Sequence, residues 1–125
     1  MAGQVRNGTT KGIDENALAA YNAPFPDDDH KQGVRQFPNL VPGTPRTPSA
    51  EPNKEAWKIL REWKKPFLCA FSDKDPIFSG VENSFYKLIP GCKDMPHVTI
   101  EDAGHFLQED QPEACVDAIL SIKNI

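Results

Sequence analysis

A continuous apolar run at residues 67–71 (FLCAF) constrains the fold more than any other feature of the sequence. Such a run is typical of a strand that is buried on both faces of a parallel sheet, where it needs neighbouring strands and covering helices. The sequence predicts one other strand, at residues 97–100 (HVTI). Because two parallel strands do not form a stable sheet by themselves, we expect the end of a larger α/β fold rather than a whole one.

Helical patterns surround both predicted strands. Apolar residues recur at helical spacing over residues 56–63 and again over residues 81–88, and residues 110–122 carry an apolar stripe. Glu109 and Asp110 precede this last helix, where carboxylates favour a helix N-terminus. The order helix, strand, helix, strand, helix indicates a parallel sheet with crossover helices.

The first half of the chain is less regular. Residues 1–12 are polar and lack periodicity, so they predict a flexible tail. Residues 13–20 fit a short helix that Asp14 can cap, and the acidic run at residues 27–29 suits the start of a second helix. Residues 38–54 contain five prolines and predict an irregular loop.

Composition excludes several classes of protein. The net charge is −4, and the 14 basic residues are scattered, so we expect no nucleic-acid partner. Mean hydropathy is −0.54, and no apolar run is long enough to cross a membrane. The polar N-terminus does not resemble a secretory signal. Cys69, Cys92 and Cys115 lack the spacing of a disulfide framework or a zinc site, so we expect three reduced thiols in a cytoplasmic protein.

Two residues that could act together follow the two strands. In an open α/β sheet, reactive groups lie in loops beyond the carboxyl ends of the strands, and Asp75 and His105 both occupy such loops. A carboxylate that accepts the Nδ1 proton of an imidazole fixes its tautomer and leaves Nε2 free to act as a base. Asp73 is the alternative acid because it lies closer to the end of its strand.

Four segments of the chain resemble haloalkane dehalogenases. Residues 102–110 (DAGHFLQED) resemble their catalytic-histidine segment, and residues 74–76 (KDP) resemble the loop of their triad acid. Residues 20–27 (AYNAPFPD) and 33–38 (GVRQFP) resemble the end of their cap domain, and this pair is the more specific signal. The resemblance covers most of residues 14–125, although epoxide hydrolases and many esterases share the AGHF element.

The resemblance implies a fold class, which is α/β, and a place within it. The chain would be the C-terminal part of an α/β-hydrolase fold, comprising the end of the helical cap and the last two parallel strands with their helices. Residues 1–12 would remain a flexible tail. Residues 13–54 would form the end of the cap and a connecting loop, and residues 55–125 would form the C-terminal part of the hydrolase core.

The resemblance also implies a reaction. A nucleophilic aspartate would attack the halogen-bearing carbon of a small apolar substrate and form an alkyl-enzyme ester. His105 would activate a water molecule to hydrolyse that ester, and Asp75 would orient the imidazole and stabilise its charge. Phe25 and Pro26 would line the substrate cavity, and the reaction would need no metal or organic cofactor.

The sequence departs from this pattern where the nucleophile and the halide-binding groups would be. No strand-turn-helix segment carries a nucleophilic aspartate, and the helical spacing of Trp57 and Trp63 marks them as packing residues. A base and its orienting acid alone should give no turnover. One alternative is an epoxide hydrolase or esterase of the same fold, although neither Tyr21 nor Tyr86 is well placed to protonate an epoxide. Another is a non-catalytic interaction module whose partner covers the open sheet edge.

Overall fold

The structure, a computed structural model, describes residues 2–122. These residues form short helices around one small sheet. No helix among them combines the length and the apolar character that crossing a membrane requires. The α-helices are α1 (Ala2–Gly8), α2 (Glu15–Asn22), α3 (Gln32–Gln36), α4 (Ala50–Leu60), α5 (Glu82–Leu88), α6 (Leu107–Asp110) and α7 (Pro112–Ser121).

The sheet consists of two parallel strands, β1 (Ala70–Ser72) and β2 (Val98–Ile100), which pair residue by residue from Ala70 opposite Val98 to Ser72 opposite Ile100. The predicted parallel pair is therefore confirmed, but β1 begins later than the apolar run. The reason lies in the backbone hydrogen bonds before β1. The N–H of Phe67 donates to the carbonyl of Gly91 at 3.0 Å, and the N–H of Cys69 donates to Nδ1 of His97 at 3.1 Å.

Two apolar clusters cover the two faces of the sheet. Successive side chains of a strand point to opposite faces, and the run at residues 67–71 accordingly divides between the clusters. The first cluster is buried around Cys69, Ile89 and Cys92, with Trp57, Leu60, Phe67, Phe71 and Phe85 packed against it. The second is buried around Ile100, Ala103 and Ala118, with Leu68, Ala70, Val98, Leu107 and Ala114 packed against it.

The N-terminal segment differs from the flexible tail that the sequence predicts. Residues 2–8 form α1, which packs against α2. Ala2 and Val5 lie three residues apart, so they share one face of the helix, and both are buried, Val5 completely. Arg6 also pairs with Glu15 of α2 at 2.7 Å. Two small apolar residues at helical spacing are too weak a pattern to predict this helix from the sequence.

The helix predicted over residues 13–20 is confirmed as α2, and its cap is the predicted one. The side chain of Asp14 accepts hydrogen bonds from the N–H groups of Asn16 and Ala17. The second predicted helix is divided into a 3₁₀ turn (Asp29–Lys31), α3 and another 3₁₀ turn (Phe37–Leu40). Helix α4 begins at Ala50, inside the predicted loop, because Pro52 is tolerated in the first turn of a helix.

Candidate active site

The loops that follow β1 and β2 bring Asp75 and His105 together. Nδ1 of His105 lies 3.2 Å from Oδ1 and 3.1 Å from Oδ2 of Asp75. A carboxylate can only accept here, so the imidazole donates from Nδ1, and Nε2 has no hydrogen-bond partner within residues 2–122. The Asp75 side chain is 9% exposed, whereas that of His105 is 29% exposed. The arrangement leaves the imidazole partly exposed and keeps its carboxylate partner buried.

The surroundings of Asp75 keep its carboxyl group ionised. Burial by itself raises the pKa of Asp75, but hydrogen bonds from the N–H of Ile77, from the His105 ring and from the N–H of Phe78 outweigh it. The pKa therefore lies below the usual value for an aspartate. The N–H of Ile77 donates to Oδ1 at 2.8 Å and also fixes the carboxylate in its loop. An ionised carboxylate is the form that stabilises an imidazolium.

Aromatic rings enclose the imidazole of His105. The Phe78 ring lies 5.5 Å from it between centroids, at an interplanar angle of 31°. The Phe106 ring lies 5.2 Å away and meets it edge to face at 83°. These two rings limit the rotation of the imidazole, which stays partly exposed.

Several hydrogen bonds join the end of β1 and the loop after it to the loop after β2. Oδ1 of Asp73 accepts from the N–H of Ala103 at 3.1 Å, and the carbonyl of Ala103 accepts from the N–H of Lys74 at 3.0 Å. The hydroxyl of Ser72 donates to the carbonyl of Gly104 at 2.8 Å. The side chain of Asp73, the alternative acid, therefore bonds to the backbone of the loop after β2 (residues 101–106, the histidine loop), while Asp75 is the carboxylate that contacts the imidazole.

Sequence reasoning missed the role of Asp110, which it assigned to the start of the last helix. The carboxylate is buried, with 3% of the residue exposed. It accepts hydrogen bonds from the N–H groups of Gly104 at 2.8 Å, Thr10 at 2.9 Å and Lys11 at 3.0 Å. Burial by itself raises the pKa of Asp110, but these backbone hydrogen bonds lower the pKa by more than burial raises it. The pKa of Asp110 therefore lies below the usual value for an aspartate. No local sequence signal connects residues 10 and 110.

The structure does not bring Phe25 and Pro26 to the His105–Asp75 pair. Phe25 borders two open hollows, of about 510 and 440 Å³, and neither includes His105 or Asp75 in its lining. Pro26 lines neither hollow. The larger one is lined by Ala17, Ala20, Tyr21, Pro24, Phe25 and Glu109. Substrate lining by Phe25 and Pro26 stays a prediction.

Both tyrosines interact away from His105. The hydroxyl of Tyr21 donates to Oε1 of Glu109 at 2.6 Å, and the Tyr86 ring lies 4.3 Å from the His97 ring. His97 is itself a structural residue: its Nδ1 accepts from Cys69, and its Nε2 donates to the carbonyl of Cys92 at 2.9 Å. Within residues 2–122, no group of three or more His, Cys, Asp or Glu side chains is arranged to hold a metal ion.

Comparison with known proteins finds similarity to haloalkane dehalogenases. No family model matches the sequence. A haloalkane dehalogenase from Psychrobacter cryohalolentis is 49% identical over 113 residues, which is 90% of this chain and 37% of that protein. A haloalkane dehalogenase from Mycolicibacterium paratuberculosis is 41% identical over 114 residues, 91% of this chain and 38% of that protein. Haloalkane dehalogenase 1 of Mycobacterium bovis is 40% identical over 121 residues, 96% of this chain and 40% of that protein.

The chain thus spans about two fifths of the length of the curated relatives that it matches, while nearly all of its own residues take part in each alignment. Identity of 40–49% over more than 110 residues is consistent with the C-terminal portion of these enzymes. Over the segment that these alignments cover, the chain is similar to haloalkane dehalogenases.

Proposed function

We propose that this chain supplies the general base and its orienting acid for the hydrolysis of carbon–halogen bonds. The observation that carries the proposal is the contact of His105 Nδ1 with the buried carboxylate of Asp75 at 3.1–3.2 Å, while Nε2 of the partly exposed imidazole has no hydrogen-bond partner within residues 2–122. The names of its relatives, haloalkane dehalogenases, support the same reaction.

The proposed reaction has two steps. In the first, a carboxylate nucleophile, not identified among the residues of this sequence, displaces the halide from carbon and forms an alkyl ester. In the second, Nε2 of His105 removes a proton from water while the water oxygen attacks the carbonyl carbon of the ester. The C–O bond to the acyl carbon then breaks, and the alkoxide leaves as an alcohol with the proton from the imidazolium. Asp75 stays ionised throughout and stabilises the imidazolium.

We also propose that residues 13–54 are the end of a helical cap and that residues 55–125 are the C-terminal part of an α/β-hydrolase core. The parallel pairing of β1 and β2 supports this assignment, because crossover connections of this kind build such cores. In this arrangement the substrate is a small apolar haloalkane. Phe25 and Pro26 would reach the substrate from the cap side.

The first test is the intact mass of the native protein, captured with an antibody against the last helix. The chain described here has a mass of 13.9 kDa. Halide release from small haloalkanes is then measured on the captured protein, with His105→Ala as the variant. A general base contributes about 10²–10⁴-fold, so we expect turnover to fall by that factor. Because the base is not needed to expel halide, one halide per protein should still be released, and the alkyl ester should accumulate as added mass.

His30→Ala is the matched control. Nδ1 of His30 lies 2.6 Å from Oδ1 of Asp27, so it forms a similar pair, but on the exposed surface. We expect this variant to keep full turnover. The proposed function is contradicted if His105→Ala turns over substrate like the parent protein. It is also contradicted if the native protein has a mass of 13.9 kDa and releases no halide.

A further inference from the structure

The peptide that precedes His105 is held at both of its polar groups. The N–H of Gly104 donates to Oδ2 of Asp110 at 2.8 Å, and the carbonyl of Gly104 accepts from the hydroxyl of Ser72 at 2.8 Å. The N–H of Phe106, on the other side of His105, donates to the carbonyl of Gly8 at 3.2 Å. The backbone around His105 is therefore fixed by groups from three separate parts of the chain.

Asp110 connects two of these parts. Its carboxylate also accepts from the N–H groups of Thr10 and Lys11, two and three residues after Gly8. We call the Asp110 carboxylate with the N–H groups of Gly104, Thr10 and Lys11 the Asp110 clamp. The side chain of Lys11 strengthens it, because its Nζ donates to the backbone carbonyl of Asp110 at 2.8 Å. The clamp holds the N-terminal segment directly against the histidine loop.

The two segments in the clamp lie in close contact. A Cβ atom added to Gly104 would lie 2.4 Å from the carbonyl oxygen of Gly8, and one added to Gly8 would lie 2.6 Å from the Phe106 ring. Such contacts leave no room for the histidine loop to shift towards the N-terminal segment. Without the carboxylate, three buried or half-buried N–H groups would lose their acceptor and the segments would separate.

The orientation of the His105 ring depends on this backbone. Nδ1 must remain near 3.1 Å from Asp75 to keep its hydrogen bond, and hydrogen bonds weaken steeply when their geometry is lost. A displacement of about 1 Å in a catalytic group can cost about 10²-fold in rate. A small rotation of the Gly104 peptide would be enough to move the imidazole by that much.

We propose that Asp110 is a positioning residue for the His105–Asp75 pair: its buried carboxylate holds the histidine loop so that Nδ1 of His105 points at Asp75. This proposal rests on the proposed role of His105 as the base. Asp110 does not touch the imidazole. It acts through the Gly104 peptide and through the N-terminal segment that covers the loop.

The test is nitrogen NMR of the His105 ring in the 125-residue chain at pH 8. The ring nitrogen shifts report which nitrogen carries the proton. In the parent chain we expect the Nδ1–H form, which Asp75 selects. Asp75→Asn defines the signal of a ring without its carboxylate, and Asp110→Asn should move the signal of His105 most of the way towards it. The signals of His97 and His30 should not change.

Two further variants separate positioning from general stability. Asp117→Asn changes an exposed carboxylate of α7 and should give the signal of the parent chain. Asp110→Glu keeps the charge but lengthens the side chain, so it should give a signal between those of the parent chain and Asp75→Asn. We expect this variant to fold even if Asp110→Asn does not fold. If the melting temperature falls equally in all of these variants, including Asp117→Asn, the loss of stability is common to every substitution and is not specific to Asp110.

Two outcomes overturn the proposal in different ways. If the folded Asp110→Asn and Asp110→Glu chains keep the Nδ1–H signal while Asp75→Asn loses it, Asp110 has only a structural role and the proposed function stands. If Asp75→Asn also keeps the parent signal, His105 does not depend on Asp75, and the proposed function fails together with the positioning role.

Discussion

Replacing Gly91 with alanine tests how the first apolar cluster is built. Gly91 is buried between residues 63–65, which follow α4, and Phe67, the first residue of the apolar run. Its N–H donates to the carbonyl of Trp63 at 2.7 Å, and its carbonyl accepts from the N–H of Phe67 at 3.0 Å. A Cβ atom at this position would lie 2.1 Å from the carbonyl oxygen of Lys65 and 3.1 Å from that of Trp63.

The expected cost follows from these distances. The contact with Lys65 must open from 2.1 Å to at least 3.0 Å, and the atom that must move belongs to the backbone. That movement breaks both hydrogen bonds of Gly91, at about 1 kcal/mol each. Overpacking next to the buried Ile89 and Cys92 adds about 1–3 kcal/mol. We therefore expect Gly91→Ala to lower the free energy of unfolding by about 3–5 kcal/mol, a large share of the stability of a small domain.

Thermal and urea unfolding, followed by circular dichroism, measure this loss. For a chain of this size we expect the melting temperature to fall by roughly 10–20 °C. Gly33→Ala is the control: it lies in α3, a Cβ there meets nothing within 4 Å, and alanine favours a helix by about 0.5–1 kcal/mol. If Gly91→Ala unfolds within about 0.5 kcal/mol of the parent, the packing around residues 63–67 is not as described.

Two further predictions concern acid and thiol reagents. Asp75 and Asp110 both have pKa values lowered by folding, so their contribution to stability is complete above about pH 4, the unfolded value, and is lost as pH falls through their folded values. An acid titration should show this loss below pH 4, and a parent that is equally stable at pH 2 and pH 6 would contradict it. Burial raises the pKa of the Cys69 thiol to about 12, so Cys115, which is partly exposed, should react first with a disulfide reagent. Simultaneous labelling of Cys69 and Cys115 in the folded chain, followed by mass spectrometry of peptides, would refute that order.

The sequence predicts the regular elements of the second half well, because their signals are local. The helix predicted over residues 81–88 is α5, and the last predicted helix contains α7. The strands are found at the predicted places, although hydrogen bonds to Gly91 and His97 shorten β1. Those two partners lie more than 20 residues away, so no local pattern reveals them.

In the candidate site, too, some features can be predicted from the sequence and others only from the structure. The positions of Asp75 and His105 after two strands suffice to predict their proximity, because parallel strands end at the same edge of a sheet. The choice between Asp73 and Asp75 requires the structure, since both lie in the same loop. The structure assigns the contact with Ala103 to Asp73. Asp110 could not be found from the sequence, because its partners are backbone N–H groups, which every residue except proline carries.

The clamp also determines the order in which this chain can fold. Thr10 and Asp110 are 100 residues apart, and closing a flexible loop of that length costs roughly 4 kcal/mol of entropy. A ribosome adds about 5–20 residues per second, so Thr10 waits roughly 5–20 s before Asp110 has been synthesised. During that interval the N–H groups of Thr10 and Lys11 lack the carboxylate that accepts from them in the folded chain. The histidine loop is therefore completed only when Asp110 meets a segment that was synthesised about 100 residues earlier.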